Sequence, residues 1–249
     1  MYVSGLTTSN GNDALLLKFS SEGALLWQKA WGGNAYDEAN AVAAAPDGSV
    51  YIAGTTQSFG ASSGLYVAKF SADGALVWQK IWEGASGHAV GVGADGHVYA
   101  AGSRPRPDSL GNFDVLALKM TSDGGLVWSV TYSAGVQVDA RAGMTVGPDG
   151  SAIIAGAVQT EKSRSVDIAA LVLKLDGNGA ELFAREWASS SGSSGAGVAV
   201  AQDGSIYVTG QTSQGDGTEG AFVFHVDAEG KGVDAVTWGG SGFESGHGG

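Results

Sequence analysis

Short apolar stretches separated by Asp-Gly and Asn-Gly pairs run the length of the chain. From Ser49 to Thr55, Tyr51 and Ala53 fall on one parity and Val50 and Ile52 on the other, the alternation of a β-strand. Around it lie a small-residue run, Ala41 to Ala45, and two further strand patterns, Leu65 to Phe70 and Ala75 to Trp82. The last carries Trp78 and Trp82 four residues apart, which places both on one face. In chain order these predict four strands, a to d. The cycle returns five times. Its central glycine falls at Gly5, Gly54, Gly102, Gly156 and Gly210, steps of 49, 48, 54 and 54 residues. A period near 50 residues built only from short strands predicts an all-β chain: a β-propeller of five four-stranded antiparallel blades, residues 1–249 forming a single domain. The alternative is five blades of a larger propeller.

The connections fall into two kinds. The a–b turns (Asp47-Gly48, Asp95-Gly96, Asp149-Gly150, Asp203-Gly204) and the c–d turns (Glu22-Gly23, Asp73-Gly74, Asp123-Gly124, Asn178-Gly179, Glu229-Gly230) are nearly identical from copy to copy. Asp-Gly and Asn-Gly supply the positive φ that tight hairpins need. The b–c loops (8–13, 57–64, 104–114, 159–167 and 213–220) differ in every copy, as do the d–a loops. In a four-stranded antiparallel blade the two kinds lie at opposite ends, so the divergent end is the candidate binding face. The small a strands suit the crowded inner edge of each blade. The d-strand aromatics, Trp31, Trp82, Tyr132, Trp187 and Trp238, are expected to fill the wedge between blades. The strand-c series Lys18, Lys69, Lys119 and Lys174, with His225 in the fifth copy, is expected to pack its stems along the blade with the heads in water.

Composition narrows the function classes. The 249 residues include 42 glycines, no cysteine and a net charge of −12. Disulfides and thiolate zinc sites are excluded. Nucleic acid is a poor partner because phosphate binding needs a basic footprint. No stretch reaches the roughly 20 apolar residues of a spanning helix, so membrane insertion is not expected. Tyr2 already lies in a strand pattern, and the chain stops within the fifth strand a. The expectation is that a leader and neighbouring sequence are missing from this chain. Closure of five blades would need Glu244 to Gly249 to pair with Tyr2 to Thr7.

Trp31-Gly32-Gly33-Asn34, Asp37-Glu38, Asp47-Gly48-Ser49-Val50-Tyr51-Ile52-Ala53-Gly54 and Asp13-Ala14-Leu15-Leu16-Leu17-Lys18-Phe19 together resemble the SBBP repeat, the seven-bladed β-propeller repeat. The resemblance extends over essentially the whole chain. Repeat four departs from it, lacking the Gly-Gly and placing Phe183 where Trp27, Trp78 and Trp128 stand; repeat five has Asp234 there. It implies a structural or adhesive module, surface-exposed or secreted, in the extracellular space or cell envelope, with no catalytic residues to carry over. Asp73 to Trp78 is also similar to the tryptophan strand of quinone-dependent dehydrogenase propellers, but no motif for their calcium or cofactor is present.

Candidate sites lie on the divergent end. Arg104, Arg106, Lys162 and Arg164 on the two longest b–c loops, with Asp108, Asp139 and Arg141, could grip an acidic partner or a glycan carboxylate. The acidic loop residues, among them Asp37, Asp114 and Glu219, are expected to form a solvated rim. His88 and His247 occupy equivalent places at the start of strand a and could share a divalent metal with nearby carboxylates. Their spacing matches no ligand motif, and no cofactor is expected. No nucleophile elbow, phosphate loop or His-Glu-x-x-His motif occurs. The first reading is therefore a non-catalytic scaffold binding protein or glycan, monomeric or part of a larger multidomain chain. The alternative is a propeller hydrolase or lyase built around His88, His247, Asp139 and Arg141.

Overall fold

The structure, a computed structural model, describes residues 1–8, 11–60, 62–107, 111–134, 137–162, 165–189, 192–213, 218–232 and 234–239; for 137, 139–142, 160–162 and 165–167 it describes the backbone only. The described residues form nineteen β-strands in five antiparallel sheets, each strand hydrogen-bonded to its sequence neighbour. The first sheet has three strands: β1 (Tyr2–Thr7), β2 (Asp13–Phe19) and β3 (Leu25–Trp31). The second contains β4 (Asp37–Ala44), β5 (Val50–Thr56), β6 (Gly64–Phe70) and β7 (Leu76–Glu83). The third contains β8 (Ser86–Val92), β9 (Val98–Pro105), β10 (Phe113–Met120) and β11 (Leu126–Tyr132). The fourth contains β12 (Gln137–Val146), β13 (Ala152–Lys162), β14 (Ser165–Leu175) and β15 (Glu181–Trp187). The fifth contains β16 (Ser193–Val200), β17 (Ile206–Ser213), β18 (Glu219–Val226) and β19 (Asp234–Trp238). A four-stranded meander in each repeat is what the sequence pattern predicts. The segment proposed to complete the first sheet, Glu244 to Gly249, lies outside the described residues.

The chain divides into two compact units, Met1–Arg104 with Leu116–Ser129, and Pro105–Val115 with Val130–Gly249. In the first, Ala14, Leu16, Val50, Ile52, Tyr66 and Ala68 form one buried layer and Ala53, Leu65, Val67, Val98, Leu116 and Leu118 the next. In the second, Ile153, Val172, Phe183, Ile206, Val208, Phe222 and Phe224 pack together. These layers lie between successive sheets.

The inner strands begin earlier than their small-residue runs suggest. Asp37, Glu38 and Ala39 already pair with Thr56, Thr55 and Gly54 before the register shifts past Asn40. Shifts at the matching places leave out His88 in β8 and Ala196 in β16. The extra residue of each bulge turns a strand carbonyl onto the facing glycine of the next strand. A Cβ on Gly54 would sit 1.8 Å from the Glu38 carbonyl oxygen, on Gly102 2.0 Å from that of Ser86, and on Gly210 2.1 Å from that of Ser194. The repeat glycine is thus fixed by close backbone approach. At Gly5, in the three-stranded sheet, a Cβ would meet nothing within 4 Å among the described residues.

Within each unit, a repeated clamp ties a c–d turn to the blade before it. Lys18 Nζ and Trp27 Nε1 both donate to the Ala72 carbonyl, at 2.7 and 3.2 Å. One blade on, Lys69 Nζ and Trp78 Nε1 donate to the Ser122 carbonyl at 3.0 and 3.1 Å. Lys18 also lies 5.4 Å from the Tyr2 ring centroid and Lys69 5.3 Å from that of Tyr51, within cation–π range. The turn glycine lies over the preceding tryptophan: at Gly74 (φ +84°) a Cβ would be 3.2 Å from the Trp27 ring, and at Gly124 (φ +86°) 3.1 Å from Trp78. In repeat four, Phe183 has no N–H to give; Arg185 Nε donates to the Gly230 carbonyl instead, while Lys174 reaches Ala228 at 3.3 Å. The sequence expectation for the lysines is corrected here. The heads of Lys18, Lys69 and Lys174 bond to carbonyl oxygens of the next blade, Lys119 lies 3.5 Å from Asp95 in its own sheet, and Lys119 and Lys174 are only 7% and 5% exposed.

Two outcomes follow. Gly54→Ala should cost about 1–3 kcal/mol or more through the clash with Glu38, whereas Gly5→Ala should fall within about 0.5 kcal/mol of the parent; urea unfolding of both measures the contrast. Lys69→Met should lose about 1 kcal/mol, because the Ser122 carbonyl loses its charged donor and keeps Trp78 Nε1 and the longer bond from the Tyr51 hydroxyl.

Candidate functional site

At the turn end of the blades the geometry repeats and is internally satisfied. Asp47 Oδ1 accepts from the Ser49 amide at 2.9 Å and hydroxyl at 2.5 Å; Asp149 with Ser151, and Asp203 with Ser205, repeat the pattern at 3.0 and 2.5 Å. The hydroxyl bond from Ser49 holds the Asp47 carboxyl below its ordinary value of 3.8, and Ser205 does the same for Asp203. For Asp149, burial pushes the other way, but the bonds from Ser151 and the charge of Lys174 outweigh it. A cleft of 230 Å³ between two such turns is lined by Pro148, Asp149, Lys174, Gln202, Asp203 and Ala228, among others. Its main charges already answer one another, with Lys174 Nζ 3.3 Å from Asp149 Oδ2. This is a packing seam.

The loop end differs from blade to blade. In the second sheet Asp37 is fully buried and accepts from the Gly33 amide and the Ser58 hydroxyl, both at 2.8 Å, and from Thr56 Oγ1. The Ala35 amide donates to Ser58 Oγ at 3.1 Å, so the d–a and b–c loops are tied to one carboxylate. Beside it lie the enclosed Asp13 Oδ1 and the Tyr66 hydroxyl, neither with a hydrogen-bond partner among the described residues. Burial pushes the Tyr66 hydroxyl well above its ordinary value of 10.0, reinforced by Asp37 and Glu38, and Trp31 stacks on its ring at 4.0 Å. The solvated-rim expectation is therefore corrected for Asp37, and also for Asp114, which is 8% exposed. Asp37 occupies the rim position but must hold two loops, so it is enclosed by the donors that it organises.

In the fifth sheet the same position is Ser193: Asp37 pairs with Thr56 across its sheet, and Ser193 with Thr212. Gly192 precedes it where Tyr36 precedes Asp37. Ser193 Oγ donates to Thr212 Oγ1 at 3.0 Å and accepts from the Ser189 amide at 3.1 Å. The two smaller residues leave open what Tyr36 and Asp37 fill. The result is a cleft of 130 Å³ lined by Ile168, Gly192, Ser193, Ser194, Gln211, Thr212, Ser213 and Glu219. Glu219 Oε2 is enclosed without a hydrogen-bond partner among the described residues.

The candidates from the sequence scatter. Arg104 is the half-buried penultimate residue of β9, and Arg106 is ion-paired with Asp114 at the start of β10, so its charge is answered within its own blade. Asp139 and Arg141 lie along the irregular stretch of β12, and Lys162 ends β13 opposite Ser165; their side chains are outside the described residues. The loop expected at 159–167 is instead an extended hairpin pairing Gln159 with Ile168 through Lys162 with Ser165. Asp108, Arg164 and His247 lie outside the described residues. His88 is the half-buried bulge residue of β8. Among the described residues no group of three or more His, Asp or Glu side chains converges to hold a metal ion. Of the residues lining the fifth-blade cleft, the sequence reading singled out Glu219 alone.

A β-propeller domain family of unknown function, DUF5122, matches residues 45–76, one a–b turn with the strands that follow it. No curated protein matches the chain. Among solved structures, a protein of unknown function from Dyadobacter fermentans is 17% identical at a TM-score of 0.54, covering 79% of this chain and 67% of that one. The apocarotenoid oxygenase of Synechocystis is 13% identical at a TM-score of 0.53, and the match spans 97% of this chain but only 58% of the oxygenase. The Pan2 WD40 domain of Neurospora crassa is 11% identical at a TM-score of 0.50, covering 94% and 74% of the two chains. At these identities the likeness shows the fold alone. The chain is an all-β protein with the β-propeller fold.

Because the folded-state values of Asp47, Asp149 and Asp203 are lowered, their contribution to stability is complete above the ordinary value of 3.8 and is lost as pH falls through and below it. Urea midpoints measured from pH 7 down to pH 3 should show a steep acid loss that is shallower when all three are replaced by Asn. Asp37→Ala should cost about 2–3 kcal/mol by leaving buried donors without an acceptor.

Proposed function

We propose that this protein is a non-catalytic interaction module of the SBBP repeat type, presenting the loop end of its blades to a protein or glycan partner in the extracellular space or on the cell envelope. The observation that carries this reading is the contrast between two equivalent positions. In the second blade Tyr36, Asp37, Thr56 and Ser58 fill and satisfy the loop end, with Asp37 fully buried. In the fifth blade, Gly192 and Ser193 leave it open as a cleft. A scaffold whose packing repeats and whose loops diverge can change its ligand without changing its fold. The net charge of −12 favours partners with basic patches and disfavours nucleic acid.

Site-directed cross-linking on cells or envelope preparations tests the reading. Photo-cross-linkers at Ser194 and Gln211, on the loop end, should capture a discrete partner. Linkers at Gln202 and Ala228, on the turn end, should capture little. Equal capture from both ends, or from neither, would contradict the assignment of the binding face.

A further inference from the structure

We infer that the fifth-blade cleft is a receptor for a primary ammonium group on an aliphatic stem, as on a lysine side chain of a basic protein partner; this rests on the reading of the loop end as the binding face. The chemistry of the walls selects the ligand. Among the described residues Glu219 is the one charged side chain lining the cleft, and it makes the wall negative. The other polar walls are the hydroxyls of Ser193, Ser194, Thr212 and Ser213 and the amide of Gln211. Among the described residues no Lys, Arg or His lines the cleft, so a carboxylate or phosphate would find no counter-charge there. Among the same residues there is no aromatic ring to serve as a stacking platform for a sugar or base. An ammonium brings three donors and one positive charge to a wall rich in acceptors. Ile168, 37% exposed, provides an apolar surface for methylene groups behind the charge. The volume of 130 Å³ matches about four water molecules, the size of an ammonium with part of its stem. The charge of −12 draws cations toward the surface before contact.

The probe is N-acetyl-lysine N-methylamide, titrated into the full chain while the backbone amides of Ser194, Gln211 and Thr212 are followed by NMR. Saturable shifts confined to the cleft are expected, weakening by at least about tenfold in Glu219→Gln and as salt rises. The norleucine analogue, which keeps the stem and lacks the charge, should leave these amides unmoved. It needs no variant, so the comparison stands even if Glu219→Gln folds poorly. Equal shifts from both compounds, or unchanged binding by a folded Glu219→Gln chain, would overturn the assignment. Loss of partner capture in loop-end variants with no response to the lysine probe would overturn the ammonium reading and leave the binding face standing. Lysine binding without partner capture would do the reverse.

Discussion

One carbonyl oxygen in a c–d turn is the point on which the packing of successive blades in the first unit depends. In the first unit that oxygen, on Ala72 or Ser122, receives both an indole N–H and a lysine head from the blade before it. The arrangement works only if the turn passes close over the tryptophan ring, which requires a residue of positive φ without a side chain at Gly74 and Gly124. It also needs the lysine stem to lie along the blade, where it meets Tyr2 or Tyr51. Tyrosine, lysine, tryptophan and turn glycine are thus four parts of one contact. That is why they recur together.

A contact of this kind divides the molecule chemically. The turn end is occupied by bonds that must repeat if the blades are to stack, and even its cleft near Asp149 and Lys174 is closed by an internal ion pair. The loop end carries no such obligation. There the second blade meets its buried groups with Asp37, while the fifth makes do with Ser193 and keeps an open cleft. Function, on this account, occupies the end of the scaffold that packing does not require.

Much of this was legible in the sequence. Repeat glycines, Asp-Gly turns and alternating strands gave the blades, their order and the two unequal ends. What escaped were partners far off in the chain, 53 residues away for Lys69 and 19 and 21 for Asp37. Lys69 reads locally as a surface lysine, because its acceptor on Ser122 belongs to the next repeat. Asp37 reads as a rim charge, since its donors Thr56 and Ser58 come from a different loop. The bulges were hidden because the extra residue is Asn40 in one blade, His88 in another and Ala196 in a third. The cleft was nearer to hand. Aligning repeats on Trp31 and Trp187 sets Gly192-Ser193 beneath Tyr36-Asp37, a loss of volume that signals an opening.

The most direct test of the account is a double-mutant cycle between Lys69→Met and Trp78→Phe, read by urea unfolding. If both side chains serve one carbonyl on the next blade, their effects are coupled, with an interaction term above about 0.5 kcal/mol. Additive effects would mean that each side chain merely packs along its own blade, and the shared clamp would have to be abandoned.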